Sequence, residues 1–175
     1  GPYQTALGKD SANTNQYSVY ASFILKNISG FNLETGGRAN NHSVYGWNGT
    51  YSFDPSYNIS EQWRVFANIA SAYSTPSLYP LYGEFGNKNL KPEQSQSYEG
   101  GIQYSDKIFE AKLIYFKRNI RNVINFYTDP VTYAGLYINA DRQRDNGIET
   151  ELKINAAKYF SVEANYTYID GSLET

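Results

Sequence analysis

Residues Ser74–Glu93 read STPSLYPLYGEFGNKNLKPE, and the reading of this stretch decides how its flanks are understood. It holds three prolines, Pro76, Pro80 and Pro92, and two glycines, Gly83 and Gly86. Each proline removes a backbone donor and pushes the residue before it toward extended geometry. Neither a regular helix nor a central strand is therefore expected to cross it. Tyr79, Leu81, Tyr82 and Phe85 are nevertheless too apolar for a disordered linker. A long connection that carries its own packing residues is a functional loop, or is braced against something large.

The segments on either side have a period of two. Before the loop, Trp63, Val65, Ala67, Ile69 and Tyr73 oppose Arg64, Phe66, Asn68, Ala70 and Ser74; after it, Tyr98, Gly100, Ile102 and Tyr104 oppose Glu99, Gly101, Gln103 and Ser105. The same alternation marks strands along the whole chain. Tyr17 to Leu25 comes first, then Phe31 to Ala39, with a polar connection NNHS after it, then Tyr45 to Phe53, broken by Asp54-Pro55. Later come Phe109 to Tyr115, extending to about Tyr127, then Tyr137 to Asn155, and Phe160 to Tyr168. Residues 1–15 lack periodicity and read as a loop or flexible N-terminal segment.

These segments predict an all-β fold: an antiparallel up-and-down meander of about eight long strands, part of a larger transmembrane β-barrel. Strands of about ten residues exceed the five or six usual in globular sheets. One face is apolar along nearly every strand, and no second layer is evident to cover it, which points to lipid. The connections Lys26–Gly30, Asp54–Glu61, Ser105–Lys107 and Ala156–Lys158 are compact, whereas Gly37–Ser43, Thr75–Glu93 and Thr128–Gly135 are longer on average. Short turns at one end and long loops at the other are the layout of an outer-membrane barrel. Strand-end tyrosines Tyr17, Tyr45, Tyr73, Tyr104 and Tyr159 suit its aromatic girdles.

Composition narrows the function classes. With a net charge of -2 and no polybasic patch, nucleic acid is not an expected partner. The chain has no cysteine and one histidine, His42, read here as a loop residue, so neither a metal centre nor a histidine-based triad is expected. No cofactor is expected either. Mean hydropathy is -0.58, which leaves a barrel open because its strands alternate. Asp141, Asp145 and Glu149 lack calcium-loop spacing. The Gly1-Pro2 opening, without an initiator methionine or signal peptide, reads as an excised or processed piece.

The run YSTPSLYPLYGEFGNKNLKPE, followed by Ser95 and Tyr98-Glu99-Gly100, resembles the barrel of TonB-dependent outer-membrane receptors. Gly86, Asn87, Asn89, Leu90, Pro92 and Glu93 stand at the positions of that family's Gly-Asn-x-Asn-Leu-x-Pro-Glu loop. Asn139, Arg142, Gly147, Ile148, Glu149 and Glu151 look like its Asn…Gly-x-Glu strand. Leu81–Gly83 followed by Phe85–Asn87 is closest to the cobalamin transporter branch, and siderophore receptors carry similar loops. The resemblance covers about residues 16–175 and implies a bacterial outer-membrane location and import of a scarce, large ligand, of cobalamin or siderophore type. It also implies about 22 strands around a plug domain through which a periplasmic TonB complex delivers energy. This chain shows no plug, no motif for the energising partner and no terminal aromatic strand, so transport is not expected of it alone.

The resemblance places ligand-binding candidates in two loops: Tyr79, Tyr82, Phe85 and Asn87 in one, Tyr127, Tyr133 and Tyr137 in the other. Tyrosine offers a rigid apolar plate with a polar tip, suited to a bulky corrinoid or aromatic chelate. The competing expectation is that these rings pack the loop against the rim. Pro76, Gly83, Gly86, Asn89, Pro92 and Glu93 read as loop architecture, the glycines and asparagines tolerating left-handed turns and Pro92 setting the re-entry. Glu99, Glu149, Glu151, Arg64, Arg118 and Lys153 are expected to line a polar interior. Two other readings stand: a soluble secreted β-sandwich that binds glycans, and a hydrolase using Glu149 and Glu151, for which no second cleft wall is evident. An eight-strand piece would also have open edges that invite pairing with a second copy.

Overall fold

A computed structural model describes residues 14–157 and 160–174. Eight strands form one antiparallel sheet in sequence order. They are β1 (Gln16–Ile28), β2 (Phe31–His42), β3 (Gly46–Asn58), β4 (Trp63–Ser74), β5 (Glu93–Ser105), β6 (Phe109–Thr128), β7 (Gly135–Ala157) and β8 (Phe160–Glu174), with one short helix, α1 (Leu78–Tyr82). The expected meander is therefore observed, and the eight strands do not stack as two sheets. The β-sandwich reading is lost with that. Most of the expected N-terminal loop, residues 1–13, and residues 158 and 159, on which part of the expected turn Ala156–Lys158 and the expected girdle residue Tyr159 fall, lie outside the described residues.

Register carries the alternation across the wall. One row runs Leu25, Leu33, Pro55 on β1 to β3 and Ile102, Leu113, Thr150, Tyr166 on β5 to β8 lies a row below it. All of these side chains share one face. At its lower margin Trp63 packs edge-on against Tyr104 at 5.0 Å, and Tyr104 lies 6.1 Å from Phe109. The upper margin is marked by Trp47, Tyr51, Tyr98, Tyr115 and Tyr168, all substantially exposed. These two belts are the interfacial girdles of a wall that meets lipid. Tyr45 is not among them: it sits in the β2–β3 turn, where burial pushes its phenol above the usual value, with Tyr73 and Tyr82 near by.

The opposite face is polar and internally paired. Lys112 meets Glu151 at 3.5 Å, Lys153 meets Glu163 at 2.9 Å, and Arg38 lies over the Tyr20 ring at 5.7 Å. Arg118 donates through Nε and Nη2 to Asp145 Oδ2, at 2.9 and 2.6 Å, while Gln143 Nε2 donates to both oxygens of the same carboxylate. Asp145 is buried, so this bonding is what makes an inward carboxylate tolerable. The rings of Phe66 and Phe116 reach over Gly101 and Gly147 of the neighbouring strands, into the space a Cβ would take.

Three local expectations are corrected. Pro55 does not end the third strand. Tyr51 N–H points toward β4, where it bonds Ser71 Oγ, so the donorless nitrogen of Pro55, at the same parity, faces β4 as well. The β2–β3 ladder stays unbroken through Leu33↔Pro55, and the β3–β4 ladder skips Asp54 and Pro55. Asn68 Nδ2 donates to Asp54 Oδ1 across that gap. The polar run Asn40–His42 is strand rather than connection, paired with Gln16–Ser18 and Gly46–Asn48. Asn40 and His42 face the polar side of the wall and Asn41, opposite Tyr17 and Trp47, faces the other, so polar residues on both faces erase the alternation there. The connection Gly37–Ser43 thereby shrinks to Ser43–Tyr45, and long loops remain at β4–β5 and β6–β7.

Candidate functional site

The end of the wall with the long connections is built around the same proline-rich stretch, and here the structure departs from expectation. Leu78–Tyr82 forms a helix with Pro80 inside it. Pro80 occupies the first turn, where backbone N–H groups have no intrahelical acceptor, so its missing donor costs nothing. Gly83 N–H closes the helix on Tyr79 O at 2.8 Å, and Gly86 N–H turns back to Gly83 O at 2.9 Å. Neither glycine adopts a left-handed φ; nor do Asn87 and Asn89. The expected reason for these residues is thus replaced by close approach. A Cβ on Gly83 would lie 2.7 Å from Tyr79 O, and one on Gly86 2.8 Å from the Leu81 carbonyl.

The loop is sewn to the extended β6–β7 hairpin by side-chain amides. Asn87 Nδ2 donates to Tyr137 O at 2.9 Å, while its Oδ1 accepts from Asn89 N–H. Asn139 accepts from Lys91 N–H at 2.7 Å and donates to Lys91 O and Asn122 O. Asn122, at φ 55, donates to Pro92 O, and Glu93 Oε1 accepts from Ile124 N–H at 2.7 Å. Leu90 is buried beneath this seam, and Pro76 is buried at the other end of the loop. Asn139→Ala removes three hydrogen bonds at about 1 kcal/mol each, offset in part by water. Local opening of residues 84–92 should rise about 30-fold, read as faster amide exchange at Lys91 and Leu90.

The ligand candidates divide into groups. Tyr79 packs edge-on against Tyr137 at 6.0 Å, Phe85 against Phe126 at 5.5 Å, and Phe126 against Tyr137 at 5.2 Å. This cluster lies on the face that continues the polar wall. The Asn87 side chain is committed to the seam between loop and hairpin, one amide N–H on Tyr137 O and its Oδ1 on Asn89 N–H, which leaves the second amide N–H for a ligand. Tyr82 faces a cleft of about 360 Å³ lined also by His42, Tyr45, Pro76, Leu81 and Lys88. Lys88 Nζ sits 5.4 Å from the Tyr82 ring centroid, and His42 stacks on Tyr45 at 5.1 Å. Below it, the Oδ1 atoms of Asn40 and Asn48 are buried without a partner. Tyr127 and Tyr133 stand apart from the ring cluster.

Tyr133, at φ 57 and 81% exposed, caps the tip of the β6–β7 connection. Asp129 holds that tip: its Oδ1 accepts from Val131 N–H and Thr132 N–H, both at 2.8 Å. The Thr132 and Val131 amides hold the Asp129 carboxyl below its usual value of 3.8. Because the folded pKa is depressed, the order this carboxylate confers is present above the ordinary aspartate range and lost as pH falls through the depressed value. Amide signals of Val131 and Thr132 should titrate together with a midpoint below 3.8.

Phe126, Asn122, His42 and Lys88 were not among the sequence candidates. Counting outward from the Asp129-Pro130 turn would have set Phe126 opposite Tyr137, the register observed. Nothing in the sequence marks His42 as a neighbour of Tyr82, because the two lie 40 residues apart; Lys88 is only six residues from Tyr82, and it is the fold of the loop that brings its Nζ to the ring.

A single sheet with a girdled apolar face and an ion-paired polar face, topped by a packed loop, defines the wall of a membrane β-barrel. Residues 1–175 match the family described as TonB dependent receptor-like, beta-barrel. The chain belongs to that family, whose barrels lie in the bacterial outer membrane. Among solved structures it is similar to the siderophore receptor PirA from Pseudomonas aeruginosa, with 28% identity and a TM-score of 0.80 over 91% of this chain and 32% of that one. A mutant of the ferric enterobactin receptor PfeA from Pseudomonas aeruginosa, solved with enterobactin, matches at 28% identity and a TM-score of 0.76, over 89% of this chain and 27% of that one. The FrpB iron transporter from Neisseria meningitidis shares the fold at 20% identity and a TM-score of 0.73, over 91% of this chain and 26% of that one. The chain spans about a third or less of these receptors. Family and neighbours alike are transport receptors rather than enzymes.

Proposed function

We propose that this chain is a wall segment of a receptor that captures a ferric siderophore and passes it inward, with energy supplied by the TonB complex through a plug domain. The observation that carries the reading is the agreement of fold and sequence with receptors whose names state siderophores as their ligands. These neighbours support the siderophore alternative over the cobalamin reading that the Leu81–Gly83 and Phe85–Asn87 resemblance suggests. By the rule that barrels carry long loops outside and short turns on the periplasmic side, the loop 75–92 and the β6–β7 tip face the exterior.

On this reading the exposed rings of Tyr79, Tyr82, Phe85, Tyr127 and Tyr133, with the half-buried Tyr137, are the candidate ligand surface. The cleft beneath Tyr82 adds a cation, Lys88, suited to an anionic aromatic chelate. The test is uptake by cells expressing the receptor that contains this segment, supplied in parallel with radiolabelled ferric enterobactin and radiolabelled cobalamin. Uptake of the iron chelate alone is expected, reduced at least several-fold by Tyr82→Ala. Uptake of cobalamin alone would overturn the siderophore assignment and restore the other branch.

A further inference from the structure

We infer that the outer part of the seam between β3 and β4 is a zipper whose closing narrows the cleft beneath Tyr82. Register shows where the zipper lies. Phe53↔Ile69 and Ser52↔Ala70 are the last pairs this ladder makes toward the end with the long loops. Carrying the same register on would set Tyr51, Thr50, Gly49 and Asn48 against Ser71, Ala72, Tyr73 and Ser74, and none of these pairs is formed. Both stretches are strand nevertheless. β3 stays paired with β2 up to His42↔Gly46, and β4 with β5 up to Ser74↔Glu93. The wall is therefore continuous on each side of the seam and parted at it.

Two side chains at the split show what holds it and what closure would gain. Tyr51 N–H, which a continued ladder would direct to the Ser71 carbonyl, donates instead to Ser71 Oγ at 2.9 Å. Asn48 Oδ1 is buried without a hydrogen-bond partner, a state that native structures rarely tolerate. In the continued register Asn48 faces Ser74 on the polar side, with Cβ atoms about 5 Å apart, within reach of the Ser74 hydroxyl. Closing the seam gives that oxygen a donor while it extends the ladder.

The seam sits at the root of the cleft. Tyr45 immediately precedes β3 and Thr75 immediately follows β4, so the two strands carry opposite walls of it. His42, Val44 and Tyr45 line one side; Thr75, Leu78 and Tyr82 line the other. The second wall is anchored away from the first, because Asn122 donates to Pro92 O and Glu93 Oε1 accepts from Ile124 N–H on the far side of β5. Zipping Asn48–Tyr51 onto Ser71–Ser74 draws the walls together, and a ligand seated between them keeps them apart. The inference rests on the proposed function only for the identity of that ligand.

The test uses the receptor that contains this segment, in cells and purified in detergent micelles. Tyr51 N–H points toward β4, so the N–H groups of Gly49, Ser71 and Tyr73 face the split, whereas those of Thr50 and Ala72 face intact ladders. The first three should exchange at least ten-fold faster than the other two. Thr50→Cys with Ala72→Cys sets thiols at facing, non-hydrogen-bonded positions, where a closed ladder meets disulfide geometry. Oxidation should form that bond in the folded protein. Ser71→Ala, which removes the hydroxyl holding Tyr51 N–H, should speed it at least three-fold. Uptake of radiolabelled ferric enterobactin and of radiolabelled cobalamin is followed in parallel. Whichever the unaltered receptor imports should fall at least five-fold on oxidation of the double variant and recover on reduction, with the single-cysteine variants unaffected. Equal exchange of all five amides would sink the inference. So would failure to cross-link thiols that a soluble alkylating reagent still reaches, or unchanged uptake by the cross-linked receptor. Import of cobalamin alone would remove the siderophore assignment, and the same three readings would still decide the seam.

Discussion

Replacing Gly147 with alanine is expected to destabilise the wall by about 3 kcal/mol, the upper end of what overpacking a filled site costs. Gly147 lies on the polar face of β7, with the Phe116 ring above it and the backbone of β8 beside it. A Cβ there would fall inside the contact distance of Tyr168 O and 2.6 Å from Phe116 Cζ. Phe116 can rotate away, but the Tyr168 carbonyl belongs to the ladder between β7 and β8 and cannot yield without breaking it. The natural comparison is Gly100→Ala on the opposite face, where an added Cβ meets nothing within 4 Å. Thermal unfolding in detergent, followed by circular dichroism, should show a large drop for the first variant and essentially none for the second. Equal midpoints would mean that the aromatic lid over Gly147 does not constrain the strand.

Ile102→Lys should also destabilise, by about 1–3 kcal/mol in a bilayer, because a cation on the lipid face of a barrel costs most at the midplane and less toward the belt that Tyr104 marks. Ile102 sits between Tyr98 and Tyr104 on β5, inside the band that the two aromatic belts bound, with Leu113 of β6 and Val65 of β4 as its partners. Gln103, one residue on, points to the polar side near Lys112 and Arg64. Gln103→Glu there should change stability by no more than about 0.5 kcal/mol, as surface substitutions generally do. Folding equilibria measured by denaturant titration in lipid vesicles test the contrast. A one-residue difference that produced equal effects would remove the assignment of faces on which the membrane reading stands.

Much of this was legible beforehand because a strand writes its orientation into the chain at every second residue. Trp63 to Tyr73 and Tyr98 to Tyr104 declared both their extended state and their greasy side, and the meander order followed from the compact turns between strands. What misled were residues judged by type without their partners. Asp54-Pro55 looked like a break, yet a proline whose missing donor faces a gap in one ladder keeps the other intact. Asn40–His42 looked like a loop, because polar residues on both sides of a strand end erase the alternation. Pro80 looked incompatible with a helix, and the first turn accepted it.

By itself the chain determined strand number, order and the face that meets lipid, since these depend on local periodicity and on turn length. The partners of the rings were decided only by the tertiary fold. Tyr79, Phe85, Phe126 and Tyr137 converge because the loop 75–92 folds back onto a hairpin some 50 residues away, held by Asn87 and Asn139. The halt in pairing beyond Ser52↔Ala70 likewise appears only when β3 and β4 are set in register. Contacts across such separations follow from register and loop closure, which no window of neighbouring residues contains.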